Sequence, residues 1–371
     1  AEQNGIKSMQ LSSDFLDGSI DGVFTVRDLP YALQKVFEEY IPSFFGKTGN
    51  TKKLAPQNFE FDLAFKNTSD VTRLFLPYLT IAPKTAIHGR FDSSKNDFTF
   101  AASSSRITLY GYVFSDWTVN SSANGDLKFD METRRLYLSD SLFLNDFNLF
   151  TKTHSDSVNL ALNWDNKSQK INKGDINAFV AIKKANSFEF KIKPSSFTIN
   201  DSTWTIKNTN DILFDSTYVT VKDLTFEHET QTVSLNGVVS ENKDDQLILR
   251  FSNFNLTHLN GFLGPTGLTI KGRIDGQSIV TDFYHSLVFS SNNEFKSFFV
   301  NDNDFGDGSV ESLWDKNKQA LYMHGSFTLG IVPNVLFSGY YYPKKEENNL
   351  DLELNLQAVQ LLIFEPFVKD Y

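Results

Sequence analysis

The chain has no cysteine and only ten prolines and three methionines in 371 residues. Without thiols, disulfides and thiolate metal sites are excluded. No stretch reaches the ~20 apolar residues that a membrane-spanning helix requires. Basic residues are in the minority, 35 Lys and Arg against 45 Asp and Glu, for a formal charge of −10. With no basic run interleaved with aromatics, a polyanionic partner such as nucleic acid is not expected. The six histidines (His88, His154, His228, His258, His285 and His324) never take metal-ligand spacing, and no nucleophile elbow or phosphate loop is present. The nearest approach to a metal loop is "NDNDFGDG" (301–308), with Asp302, Asp304 and Asp307. It has Asp307 where a calcium loop needs its turn glycine, and Leu313 where the bidentate glutamate belongs. It reads as a solvated turn. The sequence therefore offers no catalytic residues, metal site or cofactor, and reads as non-enzymatic.

What the chain has in excess is phenylalanine, 36 residues, in a background polar enough to hold the mean hydropathy at −0.29. Such a balance requires the apolar side chains to be segregated on one face. The segregation has period two. "FEFDLAF" places Phe59, Phe61, Leu63 and Phe65 on one side, and "LKFDM" does the same with Leu127 and Phe129. The pattern continues through Leu160 and Leu162, Val180, then Phe188, Phe190 and Ile192. It resumes at Leu235, at Leu247, Leu249 and Phe251, at Leu268, Ile270 and Ile274, and at Leu352 and Leu354. Strict alternation marks strands with one wet face, which belong to antiparallel sheets. Connectors such as "DNKSQ" and "PKKEENN" suit hairpin turns. A strand-and-turn period of roughly 13 residues gives about 28 strands. No Pro/Gly-rich linker divides the chain, so residues 1–371 read as one continuous all-β architecture, a segment of something longer.

Short amphipathic helices interrupt the pattern near 30–41, 70–79, 256–263 and 358–369. In the first, Leu33, Val36, Phe37, Tyr40 and Ile41 share a helical face between Pro30 and Pro42. The next two precede strands that echo each other, "KTAIHGRFDSS" (84–94) and "TGLTIKGRIDG" (266–276). A second echo links "LNWDNKSQKI" (162–171) to "SLWDKNKQAL" (312–321). The chain is imperfectly repetitive.

The stretch 204–263 resembles the AsmA-like superfamily, and within it the TamB-like translocation and assembly module proteins of the Gram-negative envelope. The resemblance is carried by Trp204, Asn208–Phe214, "VSLNGVVS" (233–240) and "LRFSNFNLTHLN" (249–260), followed by Gly272–Gly276 and "LWD" at 313–315. It implies an elongated antiparallel sheet folded lengthwise into a groove, the β-taco. It also implies a periplasmic scaffold, anchored in the inner membrane through a segment absent here and reaching an outer-membrane BamA/TamA-type barrel. The implied cargo is phospholipid, its acyl chains lying on the apolar residues named above. The alternative is a surface binding module, a β-sandwich or β-solenoid adhesin recognising glycan through Trp117, Trp164, Trp204 and Trp314.

Overall fold

The computed structural model describes residues 2–3, 5–45, 54–139, 142–167, 169, 171–260, 268–285, 287–331, 333–345 and 348–357. It is all-β and antiparallel, with a few short helices. Where the sequence reads as one unbroken run of strands, contacts gather into two compact units, Ala1–Thr203 and Trp204–Tyr371.

Unit 1 opens with strands β1 (Glu2–Gln3), β2 (Ile6–Ser12) and β3 (Leu16–Val23). Helices α1 (Leu29–Tyr40) and α2 (Pro42–Phe45) follow, then β4 (Asn58–Phe65), helix α3 (Ser69–Phe75) and β5 (Leu79–Ile81). The long strands come next: β6 (Ala86–Asp92), β7 (Asp97–Leu109), β8 (Tyr112–Asn124), β9 (Asp126–Tyr137) and β10 (Phe143–His154). They continue with β11 (Ser157–Asp165), β12 (Lys173–Lys184), β13 (Ser187–Ile192) and β14 (Ser195–Ile199). Neighbours in sequence pair antiparallel from β2 to β12, except that β4 skips to β6 while β5 pairs with the far half of β7. Both β13 and β14 pair with β12.

Strand β15 (Ser202–Ile206) lies at the division. Unit 2 continues with β16 (Asp211–Phe214), β17 (Tyr218–His228), β18 (Gln231–Ser240), β19 (Gln246–Asn255) and β20 (Ile270–Thr281). It ends with β21 (Val288–Val300), β22 (Asn303–Asp315), β23 (Ala320–Thr328), β24 (Pro333–Tyr341) and β25 (Leu350–Leu356). From β17 to β25 this is an uninterrupted antiparallel meander.

The turns follow from local chemistry. Ser155-Asp156, Asn200-Asp201 and Asn301-Asp302 each place two successive residues at positive φ, the hairpin geometry whose twist matches the flanking strands. Small polar residues and Asn/Asp tolerate that conformation best. Isolated positive-φ residues inside strands, such as Asp223, Asn253 and Ser297, sit where the register shifts and the strand bends.

The expected helix at 30–41 is present as α1, with Pro30 in its first turn. The expected 70–79 helix is shorter. It ends at Phe75 because Pro77 forces Leu76 out of helical geometry, and Leu76 closes it at φ −141. At 256–263 only the 3-10 turn Leu256–Leu259 can be described. Residues 358–369 lie outside the described residues.

The two echoing strands differ in what their glycines do. A side chain at Gly89 would collide with the Phe61 ring, 2.3 Å away, so that glycine is the seat of an aromatic ring. Gly272 stands at φ +117 between register shifts, so it serves a bulge. What the echoes share is the inward residue, Phe91 or Ile274, both buried.

Candidate functional site

Cross-strand pairing brings the alternating residues of unit 1 onto one face. Partners opposite each other point the same way, so the registers can be followed strand by strand. One row runs Phe59, Phe91, Phe98, Ala123, Leu127, Thr153, Val158, Val180, Phe190 across β4 to β13. The next runs Phe61, Gly89, Phe100, Ser121, Phe129, Thr151, Leu160, Ala178, Ile192. A third runs Leu63, Ile87, Ala102, Val119, Met131, Leu149, Leu162, Ile176. Phe65 extends the face beyond Leu63 on β4, and Phe188 extends it opposite Ile182 on β12. Nine strands at about 4.8 Å make a path of roughly 40 Å.

The opposite face is polar. Glu60, Arg90, Thr99, Ser122, Lys128 and Lys152 follow one another across it. Ion pairs lie along this face, among them Lys152 with Asp126 (2.9 Å). Lys183 and Lys191 both donate to Glu189, and these charge-assisted bonds hold its carboxyl down at about 2.

Helix α1 seals one margin of the apolar face, and among the described residues the small inward side chains Ala102, Val119 and Ala178 are buried elsewhere on it. Helix α1 lays Ala32, Val36 and Tyr40 on Phe24, Phe59, Phe91 and Ala123, making a compact core cluster. Its C-terminal end is tied to the β10–β11 turn, where Asp156 N–H donates to Tyr40 O (2.8 Å) and Ser43 N–H to Asp156 Oδ1 (2.8 Å). Away from the helix the face is neither closed nor bare. Every residue singled out in unit 1 is half-buried, except Phe59 beneath α1. Aromatic rings occupy the space beside small neighbours, Phe61 at Gly89 and Trp164 at Gly174. The Trp164 indole N–H donates to Asn172 Oδ1 (3.0 Å).

Unit 2 has its own face. Phe226, Val233, Phe251, Gly276, Asn293, Val310, Gly325, Phe337 and Leu354 form one row. Leu224, Leu235, Leu249, Ser278, Ser291, Ser312, Met323, Gly339 and Leu352 form the next. Leu247 follows on β19, opposite Val280. Serines and Asn293 interrupt the apolar rows at their middle. Ile270 pairs with Val300, and Ile274 faces both Phe254 and Phe295. Leu268 precedes the strand. Of these predicted residues Ile274 is buried and Leu354 exposed, and the others are half-buried.

The reading from sequence missed Phe91, Phe98, Phe100 and Val119. The stretch "DFTFAASSSRITL" looks too polar for the face, since Ala102 and Ser104 occupy inward positions. The Phe98/Phe100 spacing was the available signal.

Other features occupy the remaining chemistry. The carboxylates of the 301–308 loop serve the loop: Asp304 Oδ1 accepts from Gly306 N–H, Asp307 Oδ1 from Ser297 N–H, and Asp302 pairs with Lys271. None of the four tryptophans is exposed, and Trp204 is buried. On the polar face of unit 2 lies a cavity of about 360 Å³, with Gln277, Asn292, Glu311, Tyr322 and His324 around it. Among the described residues no helix is long and apolar enough to cross a membrane.

Unit 2 also holds a cluster of packed rings. His258 lies against Trp204, Phe254 and His228, with centroids 5.5, 5.6 and 5.9 Å away. Its Nε2 is buried without a partner among the described residues. Burial first, then the neighbouring His228, lowers its pKa below the ordinary imidazole value. Since the folded form resists the proton that the unfolded chain accepts, stability is complete above the unfolded pKa of 6.5 and declines as pH falls below it. Thermal unfolding at pH 7.5 and pH 5.5 is expected to give a larger drop in Tm for the wild type than for His258→Phe. Equal drops would remove His258 as the cause.

No family model, no curated protein and no solved structure matches this chain.

Proposed function

We propose that this chain is a non-enzymatic lipid-handling scaffold whose apolar faces hold acyl chains. The observation that carries the reading is the half-burial of Phe61, Phe129, Leu160 and Ile192 along one row, where a sealed core would hide them. Such a face gains about 0.8 kcal/mol for each methylene it removes from water. Near-equivalent positions in succession favour sliding over trapping, because no single site is much deeper than the next. The resemblance to TamB-like proteins supports the wider setting: a periplasmic bridge that passes phospholipid between inner and outer membranes, works with an outer-membrane BamA/TamA-type barrel, and assists outer-membrane protein assembly.

The test is direct. Solvent extraction of the purified chain should release phospholipid, and the stripped protein should take up a fluorescent fatty acid saturably. A lipid-free preparation that takes up no probe would end the reading. A second reading, a module for polar ligands such as glycans, is favoured by the cavity beside Tyr322 and His324 on the hydrated face of unit 2. Glycan binding lost on Tyr322→Ala, with fatty acid uptake absent, would select it.

A further inference from the structure

Helix α3 of unit 1 is inside out. Its packed side holds only half-buried Val71 and Thr72, which is 8% exposed and whose hydroxyl donates to the carbonyl of Thr68, itself buried (3.0 Å). Its outer side carries Leu74 and Phe75, 74% and 72% exposed, and the chain continues through exposed Leu76 and Tyr78. A helix that stabilises a fold does the reverse, turning its apolar stripe inward.

The neighbouring hairpin repeats the anomaly. The β7–β8 turn has Tyr110 at φ +51 and Gly111 at φ +87. Equivalent turns in this chain open with Ser155, Asn200 and Asn301, small side chains that accept the left-handed conformation more readily than a bulky aromatic residue. Tyr110 is nonetheless there, two-thirds exposed, with Tyr112 also exposed beside it. Its ring stacks on Tyr78, centroids 4.5 Å apart and planes within 3°, and its N–H donates to Tyr78 O (2.9 Å). The hairpin and the segment after α3 thus present one apolar and aromatic surface, which a soluble fold does not leave contiguous without use.

Charge narrows the occupant. The chain as a whole carries −10. On these elements, however, stand exposed Arg73, Lys84 and Arg106, while the exposed carboxylates beside them are taken: Asp70 pairs with Arg73 at 3.1 Å, and Asp116, next to the Arg106–Ser115 pair, with Arg134. Leucine and phenylalanine at the tip, tyrosines behind them and cations around the edge match the layering of a bilayer interface with anionic headgroups. We propose that this corner of unit 1 seats in the headgroup–acyl boundary of an anionic lipid bilayer. The seat is separate from the apolar rows, and the proposal stands whether or not those rows carry acyl chains.

The full chain is mixed with vesicles containing phosphatidylglycerol, and with vesicles of phosphatidylcholine alone, and floated on a density gradient. The wild type should float with the anionic vesicles and more weakly with the neutral ones, and high salt should reduce the binding. The triple variant Leu74→Ser, Phe75→Ser, Tyr110→Asn should bind at least about tenfold more weakly, and Lys84→Glu with Arg106→Glu should remove the anionic preference. All five positions are exposed, and asparagine suits the Tyr110 conformation, so circular dichroism and Tm should hold in both variants. Fatty acid uptake in solution should be unchanged in the triple variant, which separates this seat from the acyl-chain rows. The proposal is overturned if the wild type floats with neither vesicle, or if the triple variant floats as well as the wild type. It is also overturned if the surface instead drives a concentration-dependent dimer that the triple variant loses, which would make its occupant a second copy of the chain.

Discussion

Phe91→Ala should lower the stability of unit 1 by about 3–5 kcal/mol, the range for deleting a fully enclosed aromatic side chain. Phe91 has no exposed surface, lies between Phe59 (tilted, 5.3 Å) and Phe98 (edge-on, 6.3 Å) and belongs to the cluster that α1 covers with Val36 and Tyr40. The cavity cannot collapse easily, because α1 is pinned at its far end by Asp156 and by the Asn96–Glu39 hydrogen bond. Denaturant unfolding would measure the loss, and amide exchange in α1 and β6 would localise it. The informative comparison is Phe129→Ala. Phe129 lies one row over, half-buried and away from the helix. It should cost only about 1–2 kcal/mol, as its ring keeps part of its solvent contact in the folded state. Equal losses at the two positions would mean that the second row is as sealed as the first, and the acyl-chain reading would lose its basis.

That contrast also marks where the sequence stops being legible. Period-two alternation was enough to place Phe59 to Phe65, Leu160 and Leu162 and Leu247 to Phe251 on strands and on a shared face, because every second residue is apolar there. Helix α1 was legible for a similar reason, with a 3.6-residue stripe bounded by Pro30 and Pro42. Strands β6 to β8 were not, since their inward positions hold Gly89, Ala102, Ser104 and Ser121. Gly89 is small because the Phe61 ring lies over it, and only the cross-strand register reveals that the other three share the face. The sealing of one margin by α1 depends on contacts remote in sequence, from Val36 to Ala123. The echo between 84–94 and 266–276 does not extend to what the glycines do: the letters repeat, but one glycine seats a ring and the other turns a bulge. Division into two units left no compositional trace, because it falls between Thr203 and Trp204 inside strand β15, with no linker to mark it.

Placing a carboxylate in the middle of an apolar row should remove acyl-chain binding while sparing the sheet. Phe129→Asp in unit 1 puts the charge between Ser121 and Thr151, in the row that continues to Leu160. Phe251→Asp does the same in unit 2, between Val233 and Gly276. Each side chain is half-buried, so the new carboxylate keeps a path to water and the strand keeps its backbone ladder. A lipid chain crossing that position would have to leave the charge hydrated and give up contact with three or four methylenes. At about 0.8 kcal/mol each, that is roughly 3 kcal/mol, or about a hundredfold in affinity for a fluorescent fatty acid. Lys128→Asp is the matched control. It lies on the same strand as Phe129, one residue away, but on the hydrated face and exposed. A surface substitution of that kind should change stability by about 0.5 kcal/mol or less, and it should leave uptake where it was. The pair therefore separates geometry from charge: both proteins gain a carboxylate on the same strand, on opposite sides of the sheet. The control also loses a cation, so an effect of net charge alone would be larger in Lys128→Asp. Equal uptake by Phe129→Asp and Lys128→Asp would place the lipid elsewhere than on the apolar rows, whatever the purified chain carries.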